Sequence, residues 1–211
     1  PADRLIFTGN PVRKDIMELA GKKETAMQHF GLESVKKTLL VLGGSLGART
    51  INQAMLADMK ALEEGGYQVL WQCGRFYFSE MEAQVKISEL KHIHVLEFIR
   101  EMDLAYAAAD VVVSRAGALS VSELSLVGKP VVFIPSPNVA EDHQTKNAMA
   151  YVSQDAAILL KDSEAIGKLK MTVDAIMEDQ NKAEQLASNI KKLAKPNAAN
   201  EIIEALEQII V

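Results

Sequence analysis

Six short apolar runs alternate along this chain with longer segments of helical periodicity. The runs occupy residues 38–42, 68–71, 93–96, 111–113, 130–134 and 156–160. Runs of this length with little polar alternation are typical of parallel strands that are buried on both faces. Parallel neighbours need a crossover connection, and such connections are right-handed. The pattern therefore predicts an α/β fold with a doubly wound parallel sheet.

The segments between the runs predict the helices. They cover residues 49–63, 76–88, 102–109, 119–126 and 144–152. Residues 5–8 indicate a short first strand and residues 15–30 one or two helices, and residues 163–177, 182–193 and 200–210 indicate helices after the last run. We expect residues 1–195 to form one domain with an N-terminal linker segment, and residues 196–211 to form a separate C-terminal amphipathic helix. The apolar stripe of that helix comprises Ile202, Ile203, Leu206, Ile209 and Ile210.

Composition excludes several classes of function. The net charge of −5 argues against a nucleic-acid partner, which would require a basic patch. The single cysteine, Cys73, rules out an internal disulfide and a multi-cysteine zinc site. His, Asp and Glu show no metal-ligand spacing, so we expect no metal and no cofactor. No apolar run approaches the roughly 18 residues of a membrane span. The abrupt start at Pro1 suggests a fragment that lacks an N-terminal part.

A glycine-rich loop follows the first run, where Gly43, Gly44 and Gly47 flank Ser45. Glycines let the backbone approach a ligand closely, and the helix that follows directs N–H groups at the loop. The spacing matches neither a Walker A motif nor G-x-G-x-x-G. The alternative interpretation is an ordinary tight turn between a strand and a helix.

The segment 114–123 is the most informative part of the chain. An apolar run breaks at Gly117 and a helix follows, which makes an anion site out of backbone N–H groups. Glu123, one turn inside that helix, would repel a phosphate but suits a neutral polyol such as a ribose. The alternative is that Ser120 and Glu123 form a capping box, with the carboxylate folded back onto the Ser120 backbone.

Two arginines are candidate ligands for a phosphate. Arg13 follows the turn Gly9-Asn10-Pro11, and either its guanidinium reaches the ligand or it is the solvated arginine of a capped helix. Arg115 either adds positive charge at the site or ties its loop to Asp110.

Polar and apolar residues at two further strand ends complete the predicted site. His143, Gln144 and Asn147 begin the helix after the fifth run, and their side chains suit sugar hydroxyls, although a lone histidine also suits a cap or the surface. Asp142 and His143 have no serine or cysteine nucleophile at a recognisable spacing, which argues against a hydrolase. The pair Phe98-Ile99 follows the third run and is suited to wall a flat base and offer backbone groups to its edge, and the alternative for Phe98 is a ring that faces the core.

Taken together, these motifs resemble the C-terminal half of the MurG family of bacterial glycosyltransferases. The motifs are residues 9–13, 43–48, 98–99, 114–123 and 142–148, in that order, and the resemblance covers essentially all 211 residues. It implies the C-terminal, Rossmann-like domain of a GT-B glycosyltransferase. It also implies inverting transfer of N-acetylglucosamine from UDP-N-acetylglucosamine to lipid I, which forms lipid II in peptidoglycan synthesis.

The resemblance also implies a role for each matching residue. Arg13 and Ser45 would contact the diphosphate, and Leu119 and Ser120 would contact the phosphate from the first helical turn. The Ile99 backbone would bind the uracil edge and Glu123 the ribose. His143 and Gln144 would contact the N-acetylglucosamine. Supporting positions are Gly43, Gly44, Gly47, Arg115, Gly117 and Asn147. The general base and the lipid-acceptor surface would lie in an N-terminal domain, and the whole enzyme would work peripherally at the cytoplasmic side of the inner membrane.

Two alternative functions and the oligomeric state remain open at this point. An enzyme related to UDP-N-acetylglucosamine 2-epimerases would share the fold and the nucleotide site. A non-catalytic UDP-sugar-binding subunit would pair with a separately encoded acceptor domain. The oligomeric state is open, because the last helix can dock its apolar stripe on its own sheet, pair with a second copy or fray.

Overall fold

Six parallel strands form one sheet in the computed structural model, which describes residues 5–210. Their order in the sheet is β3-β2-β1-β4-β5-β6, the order of a doubly wound nucleotide-binding fold. This arrangement confirms the predicted fold class. The strands are β1 (Thr38–Leu42), β2 (Gln68–Gln72), β3 (Ile93–Leu96), β4 (Val111–Ser114), β5 (Val131–Phe133) and β6 (Ile158–Leu159).

The helices lie close to their predicted positions. They are α1 (Lys23–Phe30), α2 (Arg49–Glu64), α3 (Phe78–Ile87), α4 (Met102–Ala108), α5 (Ala118–Val127), α6 (His143–Val152), α7 (Ala165–Met177), α8 (Gln180–Lys192) and α9 (Ala198–Ile210). Short 3-10 helices cover Lys14–Met17, Ala140–Asp142 and Asp162–Glu164.

The N-terminal segment differs from its prediction. Residues 5–8 form no strand, and Asn10 and Pro11 do not start a helix, since the first helical turn begins at Lys14. The Asn10 amide instead donates to Ser122 Oγ (3.0 Å) and to the Ala118 carbonyl (3.3 Å). The segment is therefore held against α5 by a tertiary contact that local sequence does not encode.

Helices cover both faces of the sheet. Along β1, Leu39 and Val41 face a core shared with α2, α3 and α7. Leu40, between them, faces a second core with α4, α5 and α6. Successive side chains of a strand point to opposite faces, so a strand covered on both sides needs apolar residues at every position. Polar ligands are thereby restricted to the ends of the strands.

The C-terminal helix α9 leaves part of its apolar stripe uncovered. Ile203 is 53% exposed and Leu206 is 52% exposed. Residues 1–4 and 211, and the side chains of Ile209 and Ile210, lie outside the described residues. Within the described part, no helix is both long enough and apolar enough to cross a membrane.

Two loops at the carboxyl edge of the sheet touch through their glycines. Gly47, in the loop after β1, and Gly74, in the loop after β2, both adopt positive φ, at 94° and 85°. A Cβ on Gly47 would lie 2.4 Å from the Cys73 carbonyl oxygen and 2.5 Å from the Tyr77 ring. The Arg75 N–H also donates to the Ser45 carbonyl at 3.1 Å. Only residues without a side chain permit this approach, which sets the path of the loop after β1.

A buried amide network joins α2 to β2 below these loops. Asn52 is 1% exposed, and its Nδ2 donates to the Cys73 carbonyl at 2.9 Å. Its Oδ1 accepts a hydrogen bond of 3.0 Å from the indole N–H of Trp71, which is fully buried. Trp71 and Cys73 both belong to the buried core.

We expect Gly47→Ala to destabilise the fold by at least about 2 kcal/mol more than Gly66→Ala, because it adds a steric overlap to the backbone strain. Gly66 is the matched control, since its φ is 82° and a Cβ there would meet nothing within 4 Å. Urea denaturation of both variants measures the difference. Equal losses of unfolding free energy would show that the two loops do not pack closely.

We expect Asn52→Ala to cost about 2–3 kcal/mol of unfolding free energy, because it leaves the Trp71 N–H and the Cys73 carbonyl without partners in the core. The control is Gln53→Ala, which removes an exposed amide from the same helix and is expected to change stability by less than about 0.5 kcal/mol. Thermal or chemical denaturation compares them. A cost for Asn52→Ala no greater than that of the control would contradict the network.

Candidate functional site

A cleft of about 470 Å³ opens at the carboxyl edge of the sheet, where the strand order reverses between β1 and β4. Such a switch point is the usual ligand position in open α/β sheets. Seven of the predicted contact residues line it, as do four of the predicted supporting residues. They are Arg13, Ser45, Ile99, Leu119, Ser120, Glu123 and Gln144, and Gly43, Gly44, Arg115 and Gly117.

The start of α5 supplies N–H groups to this cleft. Gly117 is the N-cap residue and the helix begins at Ala118. The first intrahelical bond runs from the Val121 N–H to the Gly117 carbonyl at 3.0 Å. The preceding N–H groups, those of residues 118–120, have no carbonyl partner within the helix and point out of its end. Together with the helix dipole, they favour an anion.

The capping-box alternative is wrong. Ser120 lies inside the first turn of α5 because Gly117 takes the N-cap position. The Glu123 carboxylate turns to Tyr106, whose hydroxyl donates to Oε2 at 3.2 Å. Glu123 thus lines the cleft with a side chain that is 14% exposed.

Tyr106 fixes the Glu123 carboxylate from the core side. Tyr106 lies on α4, and its ring is 1% exposed because it packs in the apolar core that α4 shares with α5. Burial raises the pKa of the Tyr106 hydroxyl well above its usual value, and the adjacent Glu123 carboxylate raises it further. The hydroxyl therefore stays protonated at ordinary pH and donates to the carboxylate. This contact leaves Oε1 for other partners.

Arg13 lies next to that second oxygen. Its Nε is 3.8 Å from Glu123 Oε1 and 3.7 Å from Asp15 Oδ1, and its side chain is 42% exposed. Pairs at this separation and exposure are weak because water screens them. Neither carboxylate therefore holds Arg13 firmly.

Arg115 braces the loop between β4 and α5. Its Nη1 donates to the Ile134 carbonyl at 2.9 Å and pairs with Asp162. The other oxygen of Asp162 accepts from Thr50 at 2.8 Å. The predicted alternative of a tie to Asp110 is wrong, since that carboxylate accepts from the backbone N–H of Thr38 at 2.8 Å. The Arg115 charge is thus compensated at the edge of the cleft.

The glycine loop and the Phe98-Ile99 pair form the remaining walls. The Gly43 N–H donates to the Gln72 carbonyl at 2.9 Å, and Ser45 is exposed. Phe98 is 54% exposed and lines the cleft, so its core-facing alternative is wrong. Ile99 is 2% exposed, and its N–H donates to Gln72 Oε1 at 2.9 Å. One of the two backbone groups predicted for a base edge is therefore already engaged.

Only one of the three polar residues at the start of α6 reaches the cleft. Gln144 lines it, with Oε1 accepting from the Ser136 N–H at 2.9 Å. The His143 ring lies outside, with Nδ1 2.9 Å from the Ala140 carbonyl. Asn147 also lies outside and donates to the Ala116 carbonyl at 3.0 Å, which supports the loop before α5. The contact between His143 and a sugar stays a prediction.

Sequence reasoning missed Gln72, Tyr106 and Asp162. Gln72 is a polar residue at the end of a strand that was predicted to stop one residue earlier, so its position was a usable signal. Tyr106 and Asp162 act on cleft residues 17 and 47 positions away in the chain. No local sequence pattern predicts contacts between residues so far apart in the chain.

Comparison with known proteins places the chain in a family. Residues 38–202 match the family described as "Glycosyltransferase family 28 C-terminal domain". A protein of Flavobacterium psychrophilum, named UDP-N-acetylglucosamine--N-acetylmuramyl-(pentapeptide) pyrophosphoryl-undecaprenol N-acetylglucosamine transferase, is 49% identical over 210 residues. That alignment covers 100% of this chain and 56% of the relative. The chain thus spans little more than half the length of the curated relatives it matches.

Solved structures agree with this placement. The crystal structure of Acinetobacter baumannii MurG matches with a TM-score of 0.74 and 27% identity, covering 94% of this chain and 57% of that one. UDP-GlcNAc 2-epimerase from Neisseria meningitidis, bound to UDP-GlcNAc, matches with a TM-score of 0.63 and 20% identity over 99% of this chain and 56% of the other. The second likeness shows the shared fold alone. From the family match, this chain belongs to glycosyltransferase family 28 and carries the C-terminal domain of that family.

Proposed function

We propose that the chain is the donor-binding half of an inverting glycosyltransferase. The whole enzyme transfers N-acetylglucosamine from UDP-N-acetylglucosamine to lipid I and forms lipid II in peptidoglycan synthesis. The family match and the relative that is 49% identical support this assignment. The observation that carries it is the cleft itself, where free helix N–H groups and the Glu123 carboxylate lie one turn apart on α5.

The diphosphate lies between the start of α5 and the glycine loop after β1. The start of α5 directs backbone N–H groups at the cleft, and both elements reach it without bulky side chains, at Gly43, Gly44 and Gly117. Leu119 and Ser120 contribute first-turn contacts, and Ser45 contributes an exposed hydroxyl. Arg13 leaves Glu123 and binds a phosphate oxygen when the donor enters.

The ribose lies against Glu123. A carboxylate so close to the phosphate site would repel an anion, but it accepts hydrogen bonds from two neighbouring hydroxyls. Tyr106 holds one carboxylate oxygen from below, so the group is oriented before the donor binds. Gln144 reaches the same cleft and serves the N-acetylglucosamine, and His143 is the second contact carried over from the family resemblance.

The chemistry is a displacement at the anomeric carbon with inversion. The hydroxyl of the acceptor attacks, and the bond to the UDP oxygen breaks, so negative charge grows on the diphosphate. Preorganised N–H groups stabilise that charge, and the loss of one such donor raises a barrier by about 3–4 kcal/mol in comparable sites. The general base and the lipid-acceptor surface lie in the other part of the enzyme. The whole enzyme works peripherally at the cytoplasmic face of the inner membrane.

The exposed apolar stripe on α9 is consistent with a second domain that binds the acceptor. Ile203 and Leu206 are each about half exposed, and in the whole enzyme the helix 196–211 packs toward the N-terminal domain, while residues 1–195 bind the donor. The chain alone is therefore expected to bind UDP-sugars but not to transfer sugar. The epimerase alternative has weaker support, since its structural neighbour is 20% identical whereas the transferase relative is 49% identical.

We expect Glu123→Ala to weaken UDP binding to the chain by about 10- to 100-fold, because it removes charge-assisted hydrogen bonds to the ribose hydroxyls. Binding of 2′,3′-dideoxy-UDP, which lacks those hydroxyls, should change little. The matched control is Glu80→Ala, which removes an exposed carboxylate from the first turn of α3. Isothermal titration calorimetry measures all six pairs of protein and ligand.

Two results would contradict the assignment. One is a wild-type chain that binds no UDP even at millimolar concentration. The other is a Glu123→Ala variant that loses UDP and the dideoxy analogue equally, which would separate the carboxylate from the ribose. For the whole enzyme, conversion of UDP-N-acetylglucosamine to UDP-N-acetylmannosamine without acceptor would support the epimerase alternative instead.

A further inference from the structure

One carboxylate joins the two elements that flank the cleft. Asp162 follows β6 at the start of a 3-10 helix, and its side chain is 16% exposed. Its Oδ1 pairs with Nη1 of Arg115, two residues before the N-cap of α5. Its Oδ2 accepts a hydrogen bond of 2.8 Å from the hydroxyl of Thr50, in the first turn of α2. Asp162 therefore bonds to the start of α2 and to the loop before α5 at once.

Those two elements are the walls between which the proposed diphosphate lies. Arg115 belongs to the loop that leads into α5, whose first N–H groups have no partner within the helix. Thr50 comes shortly after the glycine loop, in which Gly43, Gly44 and Ser45 line the cleft. The separation of the walls decides whether one diphosphate can contact both of them, because binding groups must be held close to their productive geometry.

The surroundings of Asp162 suit it to hold that separation. The Arg115 side chain is 18% exposed, so water screens this ion pair less than a pair on the open surface. Arg115 also donates to the Ile134 carbonyl at 2.9 Å, which fixes the guanidinium from a second side. A short side chain that accepts on both oxygens leaves its two partners little freedom to move apart.

We propose that Asp162 is a positioning residue for the diphosphate of the donor. It sets the distance between the start of α2 and the start of α5, and it does so from outside the cleft, since it is not among the residues that line it. The proposal rests on the proposed function and adds to that site a residue that reaches it only through Arg115 and Thr50.

Two other roles for Asp162 predict different results. A purely electrostatic role predicts tighter binding when the carboxylate is removed, because its charge opposes an anion and offsets that of Arg115. A purely structural role predicts that ligands with and without phosphate lose affinity alike. The test therefore compares UDP with uridine, which shares the base and the ribose but has no phosphate. In the ratio of the two affinities, effects on the rest of the site cancel.

The experiment titrates the 211-residue chain with UDP by calorimetry and with uridine by NMR. In Asp162→Ala the UDP-to-uridine affinity ratio should fall about tenfold, because both bonds between the walls are lost. Thr50→Val removes one hydroxyl and leaves the charges of Asp162 and Arg115 in place. Its ratio should still fall about threefold, which an electrostatic role does not predict.

The matched control is Asp58→Ala. Asp58 also joins α2 to a distant segment, since its Oδ2 accepts the Lys170 N–H of α7 at 2.9 Å, but it lies about two turns further along α2 than Thr50. Its removal should lower the unfolding free energy and leave the UDP-to-uridine ratio unchanged.

Several results would overturn the role of Asp162 and leave the donor site intact. They are an Asp162→Ala variant with unchanged or higher affinity for UDP, equal losses of UDP and uridine, and a control variant whose ratio falls as far. A Thr50→Val variant with the wild-type ratio would also overturn it, and this result decides the question if Asp162→Ala does not fold. A wild-type chain that binds no UDP would overturn the donor site and this proposal together.

Discussion

Burial of the sheet on both faces is the constraint on which the rest of this structure depends. Leu39, Leu40 and Val41 face alternate sides of β1, and each side is closed by helices. A polar ligand then has access only to the strand ends. At the carboxyl edge, the reversal of strand order separates the loops after β1 and β4 and leaves the cleft between them.

The charged groups of the cleft are paired with one another in ways that differ in strength. Arg115 is anchored by a carbonyl and by Asp162, so its position belongs to the scaffold. Arg13 lies 3.8 Å from Glu123 and its side chain is 42% exposed, so that pairing is weak. Tyr106 holds the other oxygen of Glu123, independently of Arg13. The site thus combines one anchored arginine with one that is only weakly paired.

The sequence predicted the elements well, because each strand and most helices carry their own pattern. Residues 38–42 and 93–96 coincide with β1 and β3, and the start of α5 near Gly117 followed from a glycine after an apolar run. The predictions were wrong where tertiary contacts determine the local conformation. Gly117 displaced Ser120 from the cap position, Asn10 bonded to α5 instead of capping a helix, and residues 5–8 formed no strand. Tyr106 and Asp162 act through contacts that no local spacing encodes.

The central claim is that this edge of the sheet binds a nucleoside diphosphate with its ribose on Glu123. A crystal structure of the chain with UDP tests it most directly. The account predicts phosphate oxygens beside the N–H groups of residues 118–120 and both ribose hydroxyls within hydrogen-bond distance of the Glu123 carboxylate. A nucleotide bound elsewhere, or one seated here with Glu123 still turned to Arg13 and away from the ribose, would contradict it.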